Sequence, residues 1–287
     1  DRGLLYRVFW NRFRQRKVAG RANCDILFLP ASSDEGGFVP MVTMSQNLLP
    51  FEWRELRRYG RSLYMIKFLF LRWTQGRTFR KANGVIFLTD YARNAATKVT
   101  GELRGECPTI PHGINPRFMR SPRVQRSLAD FTEIRPCRVL YVSIIDVYKH
   151  QWHVAEAVAK LRAESIPITL ELVGPPAGGI NRLKETLDRV DPEGKFITYR
   201  GAVPYERLEA IYAAADIGVF ASSCENMPNI LLEGMAAGLP IACSNMGPMP
   251  EVLADAGIYF DPEDPKSIAR TLCELIESSS LRTQLAL

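Results

Sequence analysis

Two glutamates eight positions apart, Glu225 and Glu233, lie in the run Ser222-Ser223-Cys224-Glu225-Asn226-Met227-Pro228-Asn229-Ile230-Leu231-Leu232-Glu233-Gly234-Met235-Ala236-Ala237-Gly238-Leu239-Pro240. This run carries the densest chemical signal in the chain. Residues 221–228 follow a strand end and 229–237 have helix-forming composition, so Glu225 stands before a helix and Glu233 one to two turns inside it. The leading amides of that helix, near Asn229 and Ile230, suit a diphosphate, and carboxylates at either end can accept hydrogen bonds from sugar hydroxyls. Taken alone, the spacing also fits two acids that cap a helix or face solvent. Lys149 falls between a strand end and a helix, where its charge can neutralise a phosphate; a plain surface lysine is the alternative. Ser45, Gln46 and Asn47 follow an apolar run at a strand's carboxyl end, where open α/β sheets place their binding crevices.

The elements that must position these residues alternate strand and helix. In the first part the apolar runs 25–29, 41–44 and 84–89 read as strands, 51–71 is helical in composition, 91–100 reads as a helix, and a short strand ends at Ile110. The prolines of Pro111–Phe118 and the arginine-rich 120–136 segment read as a linker. The second part predicts strands over 137–143, 168–173, 196–199, 217–220 and 240–244, with helices over 152–163, 180–190, 205–214 and 229–237 and a final amphipathic helix from Ser267. Asp264-Pro265 supplies an N-cap and a first-turn proline, and Ile268, Leu272, Leu275 and Ile276 then recur at helical spacing. Short continuous apolar runs, rather than alternating ones, are what a parallel sheet covered on both faces produces. The fold class is α/β, doubly wound.

Composition narrows the partners. With 287 residues, 46% apolar and 24% charged, the chain can bury a substantial core, and no window approaches the apolar length of a membrane span. Six cysteines, none in a CxxC pair, read as free thiols in a reducing compartment. Three histidines, His112, His150 and His153, are too few and too poorly placed for a zinc cluster, so no metal is expected. The net charge of +6 is concentrated in the first 21 residues and between Arg54 and Lys81, where bases interleave with Leu63, Tyr64, Ile66, Phe68, Leu69, Phe70, Leu71 and Trp73. Such a mixture suits a membrane surface or another anion, or equally a core helix whose arginines face solvent. No nucleic-acid-binding signature accompanies it.

The chain resembles the retaining nucleotide-sugar-dependent glycosyltransferases of family 4 (glycosyl transferases group 1), and most of all the bacterial members that extend lipid-linked or cell-surface polysaccharides. The residues that carry the resemblance are the pair Glu225 and Glu233 within ENMPNILLEGMAAGLPIACS, together with SIIDVYKHQ (143–151), ELVGP (171–175), FITYRGAVP (196–204), YAAADIGVFASS (212–223) and PEVLADAGIYFDPEDP (250–265). The resemblance implies two facing Rossmann-like domains, the GT-B arrangement, with an acceptor-side domain over 1–125 and a donor-binding domain over 126–287. It implies transfer of a sugar from a nucleoside-diphosphate sugar to an acceptor hydroxyl, with retention of configuration and without a tightly bound metal or other cofactor. Residue by residue, it implies that Lys149 clamps the donor diphosphate, Glu225 contacts donor-sugar hydroxyls and Glu233 hydrogen-bonds the ribose. Asn229 and Ile230 would offer amides to the phosphates, Gly174 and Pro175 would shape the nucleotide pocket, Arg200 would border the base, and His112 would help position the donor.

Two departures from the family pattern stand out. The arginine that many members place soon after the first strand of the second domain is absent from SIIDVYK, which leaves Lys149 as the lone basic clamp, and Ser45-Gln46-Asn47 stands where many members carry a histidine. Gln46 and Asn47 are therefore the candidates on the acceptor or sugar side. The first strand-like element, 25–30, resembles a late strand of its domain, so the first domain is expected to be incomplete at its amino end. A noncatalytic nucleotide-sugar binding module is the alternative function. Cytoplasmic localisation, with peripheral contact at the inner face of the plasma membrane, completes the expectation, with a saccharide or lipid-linked acceptor as the second substrate.

Overall fold

The computed structural model describes residues 14–30 and 36–287; Arg2, Arg7 and Arg12 of the basic amino-terminal stretch lie outside the described residues. The chain forms two units, one of residues 1–112 with 225–227 and one of residues 113–224 with 228–287.

The second unit is built on six parallel strands: β4 (Cys137–Val142), β5 (Ile168–Val173), β6 (Ile197–Tyr199), β7 (Ile217–Phe220), β8 (Ile241–Ser244) and β9 (Gly257–Phe260), in the order β6-β5-β4-β7-β8-β9. Every residue of β7 and β8 is buried, as continuous apolar runs require of central parallel strands. The strand order reverses between β4 and β7. In open parallel sheets this switch point is where a crevice opens beyond the strands' carboxyl ends, and the loops leaving β4 and β7 are 143–150 and 221–228.

Helices connect these strands: α5 (Gln151–Ala163), α6 (Ile180–Val190), α7 (Leu208–Ala214), α8 (Asn229–Ala236), α9 (Met249–Leu253), α10 (Pro265–Glu277) and α11 (Ser279–Leu285). Asp264 caps α10 by accepting from the Lys266 amide at 2.9 Å, and Ile268, Leu272, Leu275 and Ile276 are buried, as their spacing predicts. Gly238 ends α8 at φ +66°, a left-handed conformation that glycine adopts without a Cβ penalty. The fully buried Arg282 on α11 closes the unit. It donates to the carbonyls of Leu275, Ile276 and Arg126, and its guanidinium carbon lies 5.4 Å from the Phe131 ring centroid. The last carbonyls of α10, which no helical amide can reach, thus find their donors in a charged side chain.

The first unit holds a smaller parallel sheet of β1 (Leu27–Pro30), β2 (Met41–Met44) and β3 (Gly84–Ile86), in that order. The strand expected to end at Ile110 is reduced to isolated parallel bridges, Gly84 with Glu106 and Phe87 with Thr109. Three helices in this unit are α1 (Gln15–Arg21), α2 (Trp53–Leu56) and α3 (Leu63–Lys81); α4 (Asp90–Thr100) follows, capped by Thr89, whose hydroxyl accepts from the Ala92 amide at 3.1 Å.

The helix expected over 51–71 is corrected by the structure. The chain breaks at Gly60, which takes φ +57°, and Ser62 is extended and caps a new helix by accepting from the Met65 amide. α3 then runs ten residues beyond the expected end, to Lys81. Its last turns bury Thr74, Gln75, Gly76, Thr78 and Phe79, whereas Leu63, Tyr64, Ile66, Phe70 and Trp73 are exposed at its start. Among the described residues, no helix is long and apolar enough to cross a membrane.

Candidate functional site

The loop that leaves β4 is folded back on the loop that leaves β7. The carbonyl of Tyr148 accepts from the Ser223 amide at 2.9 Å and from the Ser223 hydroxyl at 3.3 Å, and His150 Nε2 pairs with Ser223 Oγ at 3.0 Å. Between these ties lies Lys149. Its carbonyl accepts from the Tyr141 hydroxyl at 2.7 Å and its amide donates to the Asp146 carbonyl at 3.0 Å. Only 4% of Lys149 is exposed, with Nζ 5.1 Å from the Tyr148 ring centroid and 5.3 Å from that of Phe220. A lysine held against two aromatic faces is oriented by cation–π attraction. The following residue, His150, takes φ +52°, so the turn that delivers Lys149 to the start of α5 is sharp.

The neighbouring strand ends are joined just as closely. Gly174 follows β5 at φ +148°, and a Cβ there would lie 1.9 Å from the Ser143 carbonyl oxygen, so only glycine fits. Its amide donates to the Gly201 carbonyl at 2.9 Å and its carbonyl accepts from the Tyr199 hydroxyl at 3.0 Å. The Pro175 carbonyl accepts from the Ile145 amide at 3.0 Å. The loops after β4, β5 and β6 therefore form one hydrogen-bonded rim. Arg200, expected at the nucleotide base, pairs with Glu171 of β5 at 2.7 Å.

Glu233 is fixed differently. It is 5% exposed on α8, where Oε1 accepts from the Tyr205 hydroxyl at 3.2 Å and Oε2 from the Tyr212 hydroxyl at 3.1 Å. Burial holds this carboxyl above its ordinary pKa, against the two tyrosine hydrogen bonds and the charge of Arg117, which pull it down. The Tyr212 phenol is raised by its own burial and by the neighbouring carboxylate. At the head of the same helix Pro228 supplies no side-chain cap for the leading amides of Asn229 and Ile230.

Lys149, Gly174, Pro175, Arg200, Asn229, Ile230 and Glu233 all belong to the second unit, whereas Gln46, Asn47, His112 and Glu225 belong to the first. Gln46 is exposed and donates to Met44 Sδ, and Asn47 Oδ1 accepts from the Leu49 amide at 3.1 Å, which shapes a local turn. The His112 amide donates to Met227 Sδ at 3.2 Å. Beside the half-buried Glu225, Asn226 is buried; its Nδ2 donates to the Ser45 carbonyl at 2.7 Å, and its own carbonyl accepts from the Thr89 hydroxyl at 2.9 Å.

Sequence reasoning did not single out Asn226, Tyr205, Tyr212 or Arg117. The two tyrosines carry a usable signal, since a seven-residue spacing returns to one face of a helix. Nothing local marks Asn226, whose partners are 137 and 181 positions away.

Residues 136–278 match the family described as Glycosyl transferases group 1. Similar curated proteins include O-antigen chain mannosyltransferase B of Escherichia coli, 38% identical over 100 residues that cover 35% of this chain and 26% of that protein. Spore coat protein SA of Bacillus subtilis is 24% identical over 216 residues, covering 70% of this chain and 57% of that protein. A D-inositol 3-phosphate glycosyltransferase of Corynebacterium urealyticum is 28% identical over 130 residues, 44% of this chain and 31% of that protein. The chain thus spans between 26% and 57% of the length of these relatives. Among solved structures, sucrose-phosphate synthase from Thermosynechococcus elongatus superposes with a TM-score of 0.74 at 18% identity, covering 94% of this chain and 69% of that one. WaaG, a glycosyltransferase involved in lipopolysaccharide biosynthesis, gives 0.69 at 18% identity over 94% of this chain and 74% of that one. Anabaena Alr3699/HepE in complex with UDP-glucose gives 0.64 at 19% identity, with 86% and 65% covered. The fold class is accordingly the α/β fold, with parallel sheets, of the GT-B glycosyltransferases.

Proposed function

We propose that this chain transfers a sugar from a nucleoside-diphosphate sugar to an acceptor hydroxyl with retention at the anomeric carbon, in the synthesis of a cell-surface polysaccharide or glycolipid. The observation that carries this reading is a buried lysine, Lys149, pinned at the switch point of a group 1 domain. The saccharide activities named for the relatives and the UDP-glucose bound by a structural neighbour support a nucleotide-sugar donor.

In this reading the donor diphosphate lies between Lys149 and the leading amides of α8 at Asn229 and Ile230, where charge on the departing phosphate is stabilised as the bond breaks. That phosphate takes the proton of the attacking hydroxyl, so no protein nucleophile is required. Glu225 accepts from donor-sugar hydroxyls and Glu233 from the ribose. The rim at Gly174 and Pro175 bounds the nucleotide, with Arg200 towards the base, and Gln46, Asn47 and His112 serve the acceptor or sugar side. No metal or other cofactor enters the proposed chemistry.

The acceptor in this reading is a saccharide or a lipid-linked saccharide reached from the cytoplasmic face of the membrane. What supports peripheral membrane contact is the start of α3, where Leu63, Ile66, Phe70 and Trp73 form one exposed stripe beside Arg61, Lys67 and Arg77. A donor screen with mass-spectrometric detection of the glycosylated product tests the function. Product from one donor, lost in Lys149→Ala, is the expected outcome. Nucleotide binding without release of nucleoside diphosphate in any acceptor mixture would replace transfer with a noncatalytic binding module.

A further inference from the structure

The carboxylate of Glu233 does not stand by itself in the second unit. An ionised carboxylate offers about four acceptor sites over its two oxygens, and the Tyr205 and Tyr212 hydroxyls occupy one on each. The two tyrosines differ in their surroundings. Tyr212 is buried and its hydroxyl is also 3.3 Å from the Ile230 carbonyl, whereas Tyr205 is 45% exposed.

Both rings are set by one short segment. Phe118, fully buried, meets Tyr205 edge-on at 5.6 Å and Tyr212 edge-on at 5.7 Å. Its neighbour Arg117 lies over the outer face of Tyr205, with the guanidinium carbon 3.8 Å from the ring centroid and Nη2 donating to the Tyr205 carbonyl at 3.3 Å. Tyr205 is therefore held at its ring and its backbone while its hydroxyl steers a buried carboxylate.

We propose that Tyr205 is a positioning residue for nucleotide recognition. Clamped by Arg117 and Phe118, it turns Glu233 so that the acceptor left on each carboxylate oxygen meets one hydroxyl of a ribose cis-diol. The site thereby selects ribonucleoside diphosphates over their deoxy counterparts. This rests on the proposed contact of Glu233 with the ribose. A buried acceptor left without its hydroxyl is costly, which is why sites built around a substrate hydroxyl reject analogues that lack it.

The test is calorimetric titration of the wild type, Tyr205→Phe and Glu233→Gln with UDP, GDP and ADP and with their 2′,3′-dideoxy analogues. Tyr205→Phe keeps the ring that packs on Arg117 and Phe118 and removes only the hydroxyl, and a thermal melt checks that the variant is folded. The wild type is expected to prefer the ribonucleotide by about tenfold to a hundredfold. Tyr205→Phe should lose most of that preference, with its affinity for the dideoxy analogue unchanged. Equal weakening of both ligands in Tyr205→Phe, or an intact preference, overturns the positioning role. A preference that survives in Glu233→Gln, or absence of binding by all three ribonucleotides, overturns the underlying ribose contact and the proposal with it.

Discussion

The rim of the second sheet and the opening turns of α3 break the same rule in opposite directions. The rim buries what usually faces water: Lys149, His150, Gln151, Ser222, Ser223 and Glu233 are all nine-tenths or more out of solvent. α3 exposes what usually leaves it, with Leu63 83% and Trp73 59% accessible. Buried polar groups and contiguous exposed apolar side chains are the informative exceptions to burial patterns. The difference lies in how each exception is held. At the rim, carbonyls and phenols fix the polar groups, which suits recognition of a small charged ligand in one geometry. On α3, apolar side chains and bases share an exposed surface and touch mainly neighbours on the same helix, as Phe70 does Trp73 and Arg77 does Trp73, which suits a broad, fluid partner.

The largest expected break of this contrast is Gly174→Ala. The new Cβ would collide with the Ser143 carbonyl at a backbone angle that side chains rarely adopt, and the second unit should lose more than about 3 kcal/mol. A urea melt without a shifted midpoint would contradict the tight rim. Next comes Lys149→Ala, which should lower transfer by about 10²–10³-fold while circular dichroism stays that of the wild type; undiminished product formation would sink the diphosphate role. Replacing the stripe through Phe70→Ser with Trp73→Ser should reduce sedimentation with anionic vesicles by about tenfold and move stability by no more than about 0.5 kcal/mol. Equal recovery of wild type and variant with the vesicles would leave the α3 surface without its partner.

The smallest effect concerns Glu233 and pH. Because burial raises its pKa in the folded chain, the stability linked to this group is present below the ordinary carboxylate range and is lost as pH rises through the raised value. At neutral pH the buried carboxylate is thus kept at a small cost. Glu233→Gln should melt slightly above the wild type at pH 7, and that gap should close on acidification. A gap that widens at low pH would contradict the burial argument.

Much of the second unit was legible because its strands are short apolar runs bounded by turn residues, and because α10 announces itself through Asp264, Pro265 and four apolar residues in phase. β9 and α9 were not read as elements. Gly257-Ile258-Tyr259-Phe260 is only partly buried at the sheet edge, and α9 has just five residues. The break at Gly60 was hidden by helix-forming residues on both sides, although Ser62 followed three positions later by Met65 is the cap that a helix restart needs. Within the candidate site, the residue types of Lys149, Glu225 and Glu233 were readable. The bracing of Glu233 was readable only in part: the seven-residue spacing of Tyr205 and Tyr212 is a local pattern, whereas their meeting with Glu233 and the stacking of Arg117 on Tyr205 come from tertiary packing.

Arg282 gives the second unit a temporal property as well as a spatial one. Its bond to the Arg126 carbonyl joins residues 156 positions apart, near the two ends of that unit's chain. Pairing over such a separation must wait for the local strand–helix units to assemble, because closing so long a loop costs entropy before any contact offsets it. An interaction made after the folding barrier governs how slowly the structure comes apart rather than how quickly it forms. Arg282→Leu is accordingly expected to speed unfolding more than it slows refolding in denaturant-jump kinetics.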